Sequence, residues 1–270
     1  MEFNKLINTL YTEIGIKTTL YQSSVYCLEP IIKLSESQAK QMLDGDGQSN
    51  SNEYKQINSS TGLAVNYFKI LENIGKIEGL QFEEKVMKPL RSKGGKSANL
   101  DVTYKRDGKL YYIESKYLEP YYSYNEQNSK SYFNKDYYDV KTSDKEVWYN
   151  LFVEAQKFRF YNFSQICRHL LAIYRKHKDD NELHIVLQSV IWLMTDTFID
   201  RIENDEIKDS FRKRRFLIEK EAKSCQEMIN KFLEQIACDN IKFESLYYND
   251  IIHEIATSPY ITEFRRRYFL

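Results

Sequence analysis

Residues 99–117 read NLDVTYKRDGKLYYIESKY, and the fold follows from how they pair. Asp107-Gly108 lies between two runs of alternating polar and apolar residues, the strongest short-range signature of a two-residue hairpin turn. Such a turn sets the register by counting: Arg106 faces Lys109, and Asp101 faces Glu114, with Cβ atoms about 4.5–5.5 Å apart. Alternation then sorts the side chains. One face carries Leu100, Val102, Tyr104, Tyr111, Ile113 and Tyr117, which predicts the core side. The other carries Asp101, Thr103, Tyr112, Glu114 and Lys116.

Like charges directly opposite each other destabilise a strand pair, so this arrangement asks for a cation. Two carboxylates, the backbone carbonyl of Ser115 and water offer the all-oxygen donor set that suits magnesium or manganese. Lys116, two residues beyond Glu114 on the same side, would then stand beside a metal-bound water. There it could orient or deprotonate that water, or stabilise charge developing on phosphorus.

Upstream, helical spacing at Leu6, Ile7, Leu10 and Ile14 makes the first third mostly helical, and Asp44–Asn58 reads as a polar loop. Ser59-Ser60-Thr61 offers N-caps for a helix carrying Leu63, Tyr67, Ile70, Leu71 and Ile74. A short helix is expected to hold Phe82, Val86, Met87 and Leu90, ending in the basic connector Lys93-Gly94-Gly95-Lys96. Downstream, Pro120–Asp144 is irregular and rich in tyrosine, and helical spacing runs from Val147 to Tyr174. His184–Met194 has the nearly continuous apolar character of a buried strand. A charged helix over about Glu206–Ile236 and a strand over Ile241–Tyr248 complete the pattern. The order predicts one mixed α/β domain over residues 1–270, with helices on both sides of a sheet.

Composition excludes several classes. Nine glycines and four prolines in 270 residues rule out collagen-like and linker-rich chains. Lysine plus arginine and aspartate plus glutamate both number 39, so any anion site must be local. Cys27, Cys167, Cys225 and Cys238 are widely spaced, as are the four histidines, which fits neither a zinc cluster nor a disulfide framework. The N-terminus lacks the apolar stretch of a signal peptide, and the longest apolar run is too short to span a membrane. A soluble, cytoplasmic protein is the expectation.

At Asn99-Leu100-Asp101 and Glu114-Ser115-Lys116 the sequence resembles the PD-(D/E)XK nucleases, the restriction-endonuclease-like superfamily, in a poorly characterised bacterial branch. The resemblance covers about Ser59–Met194; Leu100 stands where a proline often precedes the first aspartate. Glu-x-Lys occurs five times, at Glu53, Glu83, Glu114, Glu206 and Glu221, but only the third lies on a strand facing a carboxylate across a signalled turn. The resemblance implies a mixed central sheet flanked by helices, and a Mg2+- or Mn2+-dependent nuclease hydrolysing phosphodiesters, with DNA the expected substrate. It also implies an acidic residue from the preceding helix. Glu83 shares its stripe with Val86, Met87 and Leu90, whereas Glu84 falls on a solvated face with Lys88 and Arg91, so Glu83 is the choice. Asp101, Glu114, Lys116 and Glu83 thus form the expected catalytic set.

A glutamine on the helix after the hairpin reaches the site in several branches, which points to Gln165, with His169 its i,i+4 neighbour. Lys93 and Lys96, with Lys88 and Arg91, are expected phosphate contacts. The tyrosine-dense segment reads as a loop capping the core, and Arg212–Arg215 and Arg265–Arg267 as solvated faces. A nucleic-acid partner and no membrane are implied, and a homodimer stays open. The competing reading is a non-catalytic nucleic-acid- or protein-binding module on the same scaffold.

Overall fold

The structure, a computed structural model, describes residues 19–22, 25–44, 53–91, 96–121, 129–180, 182–202 and 204–269. Short antiparallel strands β1 (Thr19–Gln22) and β2 (Val25–Cys27) precede helices α1 (Glu36–Asp44) and α2 (Ser60–Asn73). Strands β3 (Glu78–Lys85), β4 (Asn99–Arg106) and β5 (Lys109–Lys116) follow. Helices α3 (Lys145–Ala155) and α4 (Phe163–His177) lead to β6 (Ile185–Ile191). Helices α5 (Asp196–Asp200) and α6 (Asp205–Gln235) lead to β7 (Ile241–Tyr247), and α7 (Tyr248–Ile251) and α8 (Ile261–Tyr268) close the chain. The last five strands form one sheet in sequence order, antiparallel through β3, β4 and β5 and parallel through β5, β6 and β7. This is a mixed α/β sheet flanked by helices, of restriction-endonuclease-like type.

The hairpin register is the one the turn dictates, with Arg106 opposite Lys109 and Val102 opposite Ile113. Asp107 and Gly108 both have positive φ, as a type I′ turn requires. Ser59 caps α2 by accepting the Gly62 N–H at 3.1 Å. β6 is buried along its whole length because strands pair on both sides and helices cover both faces. Buried Tyr117, Tyr121 and Tyr138 seat the tyrosine-rich segment on the core, while Tyr122 and Tyr124 lie outside the described residues.

Three expectations need correction. Phe82 begins no helix: residues 78–85 form strand β3, and the Val86 and Ala98 N–H groups bond to Ala98 and Met87 carbonyls, extending the pairing. The i, i+4 and i+8 spacing of Phe82, Val86 and Leu90 was coincidental; Leu80 and Phe82 alternate inward, and β4 offers an edge that no helix could pair with. The mostly helical first third also carries strands, since β1 pairs with β2 and β3 belongs to the main sheet; Leu6, Ile7, Leu10 and Ile14 lie outside the described residues. Finally, Arg214 and Arg215 are not merely solvated. They donate to the Tyr121 and Met194 carbonyls, tying α6 to the ends of β5 and β6.

Both faces of the hairpin are covered. Helix α2 lies over the apolar face, with the Phe68 and Tyr104 rings 5.5 Å apart. Helix α4 lies over the other, and His177 Nε2 is 2.9 Å from the Tyr112 hydroxyl. Both sheet edges are closed by glutamine side chains. Gln41 Oε1 accepts the Phe82 N–H at 3.1 Å. Gln226 accepts the Ser245 N–H and donates to the Phe243 carbonyl, each at 2.6 Å.

The turn that starts α4 is held by one carboxylate. Glu221 of α6 accepts backbone N–H groups from Arg159, Phe160 and Tyr161, at 3.0, 2.8 and 2.9 Å to Oε2. Glu221→Ala leaves three donors without a charged acceptor and is expected to cost about 2 kcal/mol, or about 4–8 °C in melting temperature. Glu221→Gln should recover part of this, and circular-dichroism melting of the two variants checks it. A loss under about 0.5 kcal/mol for the alanine variant would mean the turn holds itself.

Candidate active site

Strand register builds the site. Pairing of Phe82 with Val102 and Glu84 with Leu100 places Glu83 opposite Asp101. Backbone pairing of β4 with β5 ends at Val102 and Ile113, one residue short of Asp101 and Glu114, and there the Asp101 carboxylate takes the Ser115 N–H. Glu114 then faces Ser189, and Ser189 faces Ser245. One polar row therefore crosses all five strands beneath α4, three carboxylates followed by two hydroxyls. Asp101 keeps a partly accessible surface, whereas Glu83 and Glu114 are buried.

Each carboxylate has a distinct partner. Asp101 Oδ2 accepts the Ser115 N–H at 2.6 Å. Glu114 Oε1 lies 2.5 Å from Lys116 Nζ, and its Oε2 lies 2.9 Å from His169 Nε2. Asn99 donates its side-chain N–H to Glu83. Glu83 has φ of 54°, a left-handed conformation that costs a non-glycine residue about 1 kcal/mol or more. Strain of this kind gathers where a side chain must be aimed, and here it aims a carboxylate along the row.

Burial and the Glu114 carboxylate push the Asp101 carboxyl well above the usual range; Lys116 opposes them and Glu83 adds to them. Burial raises Glu114 as well, but Lys116 and His169 outweigh it and hold that carboxyl at about 2. The two neighbouring carboxyls are thus pushed in opposite directions, Asp101 up and Glu114 down.

Glu83, Asp101, Glu114 and Lys116 come together as expected, but Glu83 arrives from a strand rather than a helix. The polar face of the hairpin is buried, because Thr103, Tyr112 and Glu114 all lie under α4. The Ser115 side chain points to the opposite face, with Oγ 2.9 Å from the Tyr248 hydroxyl and donating to the Ser60 carbonyl at 3.2 Å, so only its backbone can serve the site. His169 reaches Glu114 rather than open solvent. Gln165 lies one turn nearer the start of α4, its Oε1 accepting from Asn162 at 3.1 Å. Since His177 meets Tyr112 and His169 meets Glu114, α4 runs antiparallel to β5 and carries Gln165 toward the level of Lys116. Lys96 is exposed, and Lys93 lies outside the described residues. Glu84 pairs with Lys176 at 3.4 Å instead of standing free.

Asn99 was missed as a site residue, although the hairpin register already places it on the Asp101 face beside Lys116. Among the described residues no group of three or more His, Cys, Asp or Glu side chains stands arranged around a common ion position. The donor set still suits a hard dication. It is all oxygen and carries more carboxylates than the single lysine neutralises, and each engaged oxygen keeps a second lone pair.

The chain belongs to the REase-ARP family, described as restriction endonuclease associating with ARP, whose model matches residues 15–269. No curated protein and no solved structure matches it. No helix among the described residues is long and apolar enough to cross a membrane.

The protonation of Asp101 gives a pH signature. A carboxyl raised on folding holds a proton that the unfolded chain releases above about pH 3.9, so it lowers stability as pH rises through that window. Glu114, held at about 2, contributes stability that is lost only in strong acid. Asp101→Asn in EDTA should therefore melt no lower than wild type, with an advantage that grows as pH rises above the ordinary carboxyl value. An advantage that is flat with pH would mean that the Asp101 carboxyl is not raised on folding.

Proposed function

We propose that this protein is a PD-(D/E)XK-type nuclease that hydrolyses phosphodiester bonds in DNA, with Mg2+ or Mn2+ held by Asp101, Glu114 and the Ser115 carbonyl. The observation that carries this reading is the row of Glu83, Asp101 and Glu114 across three strands, ending beside Lys116. Folding alone gives no reason to place three carboxylates in line under a helix, where each costs desolvation and repels the next. The family match supports the nuclease class and, with it, a nucleic-acid partner.

Hydrolysis joins a water oxygen to phosphorus and breaks the bond to the leaving ester oxygen, giving a phosphomonoester and a free hydroxyl. The dication supplies charge neutralisation at phosphate and a more acidic water. Lys116, only 16% exposed, is the residue placed to orient that water and to stabilise negative charge on the phosphoryl oxygens. Loading the site requires Asp101 to give up its proton, so metal affinity rises with pH. Glu83, fixed by Asn99, adds negative charge that favours the dication. Lys96 and Gln165 are the proposed contacts to substrate on the described residues.

Purified protein should nick or linearise plasmid DNA with Mg2+ or Mn2+ and not with EDTA. Lys116→Ala should lower the rate by at least 100-fold, the scale of losing one electrostatic stabiliser, while its circular-dichroism spectrum stays unchanged. Equal activity in wild type and Lys116→Ala would assign the cleavage to a contaminant. DNA binding with no cleavage in either metal would favour the binding module.

A further inference from the structure

Helix α4 delivers one side chain into the carboxylate row, and neither hydrophobic packing nor helix capping accounts for it. His169 is 4% exposed, and its Nε2 lies 2.9 Å from Glu114 Oε2. Neither ring nitrogen makes a well-formed hydrogen bond, so the ring is held against Glu114 by a close polar contact and is not placed to satisfy its own polar atoms. The contact it does make is with a carboxylate whose other oxygen is taken by Lys116 at 2.5 Å. Partners at both oxygens restrict how this carboxylate can turn.

The helix that carries His169 is itself fixed at both ends. At its start, Asn162 accepts the Gln165 N–H at 3.1 Å and Glu221 clamps the preceding turn. At its end, the His177 ring meets the Tyr112 hydroxyl. Between them, Tyr174 packs on Trp148 with ring centroids 5.7 Å apart. A ring on so constrained a helix can fix a neighbour's geometry, which a ring on a mobile loop cannot.

We propose that His169 is the positioning residue for Glu114: its Nε2–H holds Oε2 so that the carboxylate presents its free lone pairs toward Asp101 and the ion. This rests on the reading of Glu114 as a metal ligand, and it moves His169 from substrate contact to support of a ligand. Outer partners that orient a ligating carboxylate or imidazole typically change metal affinity by about 10–100-fold when removed. A ring that merely filled space under α4 would leave metal affinity unchanged once its shape was kept.

The test is a Mg2+ titration of melting temperature in the full chain, needing no turnover. His169→Phe keeps a ring but removes the donor, and should raise the half-saturating Mg2+ concentration at least about tenfold. His169→Gln places an amide N–H near the Nε2 position and should stay within about threefold of wild type. His177→Gln, two turns along the same helix and away from the carboxylates, should lower the melting temperature without moving the Mg2+ midpoint. An unchanged midpoint for His169→Phe, or a lower one, would overturn the proposal; a lower one would mean the ring competes with the ion. Should His169→Phe fail to fold, His169→Asn replaces it, since its amide sits near the Nδ1 position and should not rescue. Imidazole 15N spectra of the metal-free protein judge the same claim independently. They should show His169 protonated at Nε2, with a resonance that moves in Glu114→Gln, and a bare Nε2 would overturn it. A wild type indifferent to Mg2+ would sink the metal reading, and the 15N result would still decide the positioning role.

Discussion

The constraint on which the structure turns is the nearness of two carboxylates, Asp101 and Glu114, on one face of the hairpin. A two-residue turn at Asp107-Gly108 leaves no freedom in the register, and slipping it by one residue would turn Leu100, Val102 and Ile113 out of the core. The like-charge contact is thus the unavoidable companion of a good apolar face. The molecule relieves it locally, with an ammonium and an imidazole on Glu114 and a backbone N–H on Asp101.

The surrounding fold makes that strained row tolerable. One antiparallel strand, β3, on one side and two parallel strands, β6 and β7, on the other put the hairpin inside a five-stranded sheet. Glutamines seal both edges, so the polar row does not leave the sheet open to further strands. Burial and Glu114 raise Asp101, while Lys116 of β5 and His169 of α4 lower Glu114. Two adjacent carboxyls are thereby pushed in opposite directions by different neighbours.

The hairpin, β6, α2, α6 and β7 were legible in the sequence because each is set by strong local signals. These are a positive-φ turn, a continuous apolar run, a serine cap and a long amphipathic charge pattern. Asp101, Glu114 and Lys116 were legible for the same reason, since counting from the turn fixes their face. Glu83 was found on the wrong element. Its spacing to Val86, Met87 and Leu90 fits a helix, and only pairing with β4, which lies more than a dozen residues away, makes it a strand. The cover over the polar face was not legible either: nothing local says that α4 rather than water lies on Thr103 and Tyr112. Long-range contacts decide burial, and periodicity reports only which residues share a face.

The left-handed backbone at Glu83 connects these observations. In a regular strand the side chains of Glu83 and Glu84 would point to opposite faces, with Glu84 beside Leu100 in the apolar layer. The positive φ at Glu83 breaks that alternation, so Glu83 stays with Asp101 while Glu84 reaches Lys176 on α4. A glycine would adopt that conformation with less strain but would carry no carboxylate to the row. The chain keeps a glutamate where the backbone prefers glycine and spends an asparagine, Asn99, to hold it. A positive φ at a non-glycine residue, held together with a dedicated side-chain partner, is the pattern of strain that gathers at functional sites.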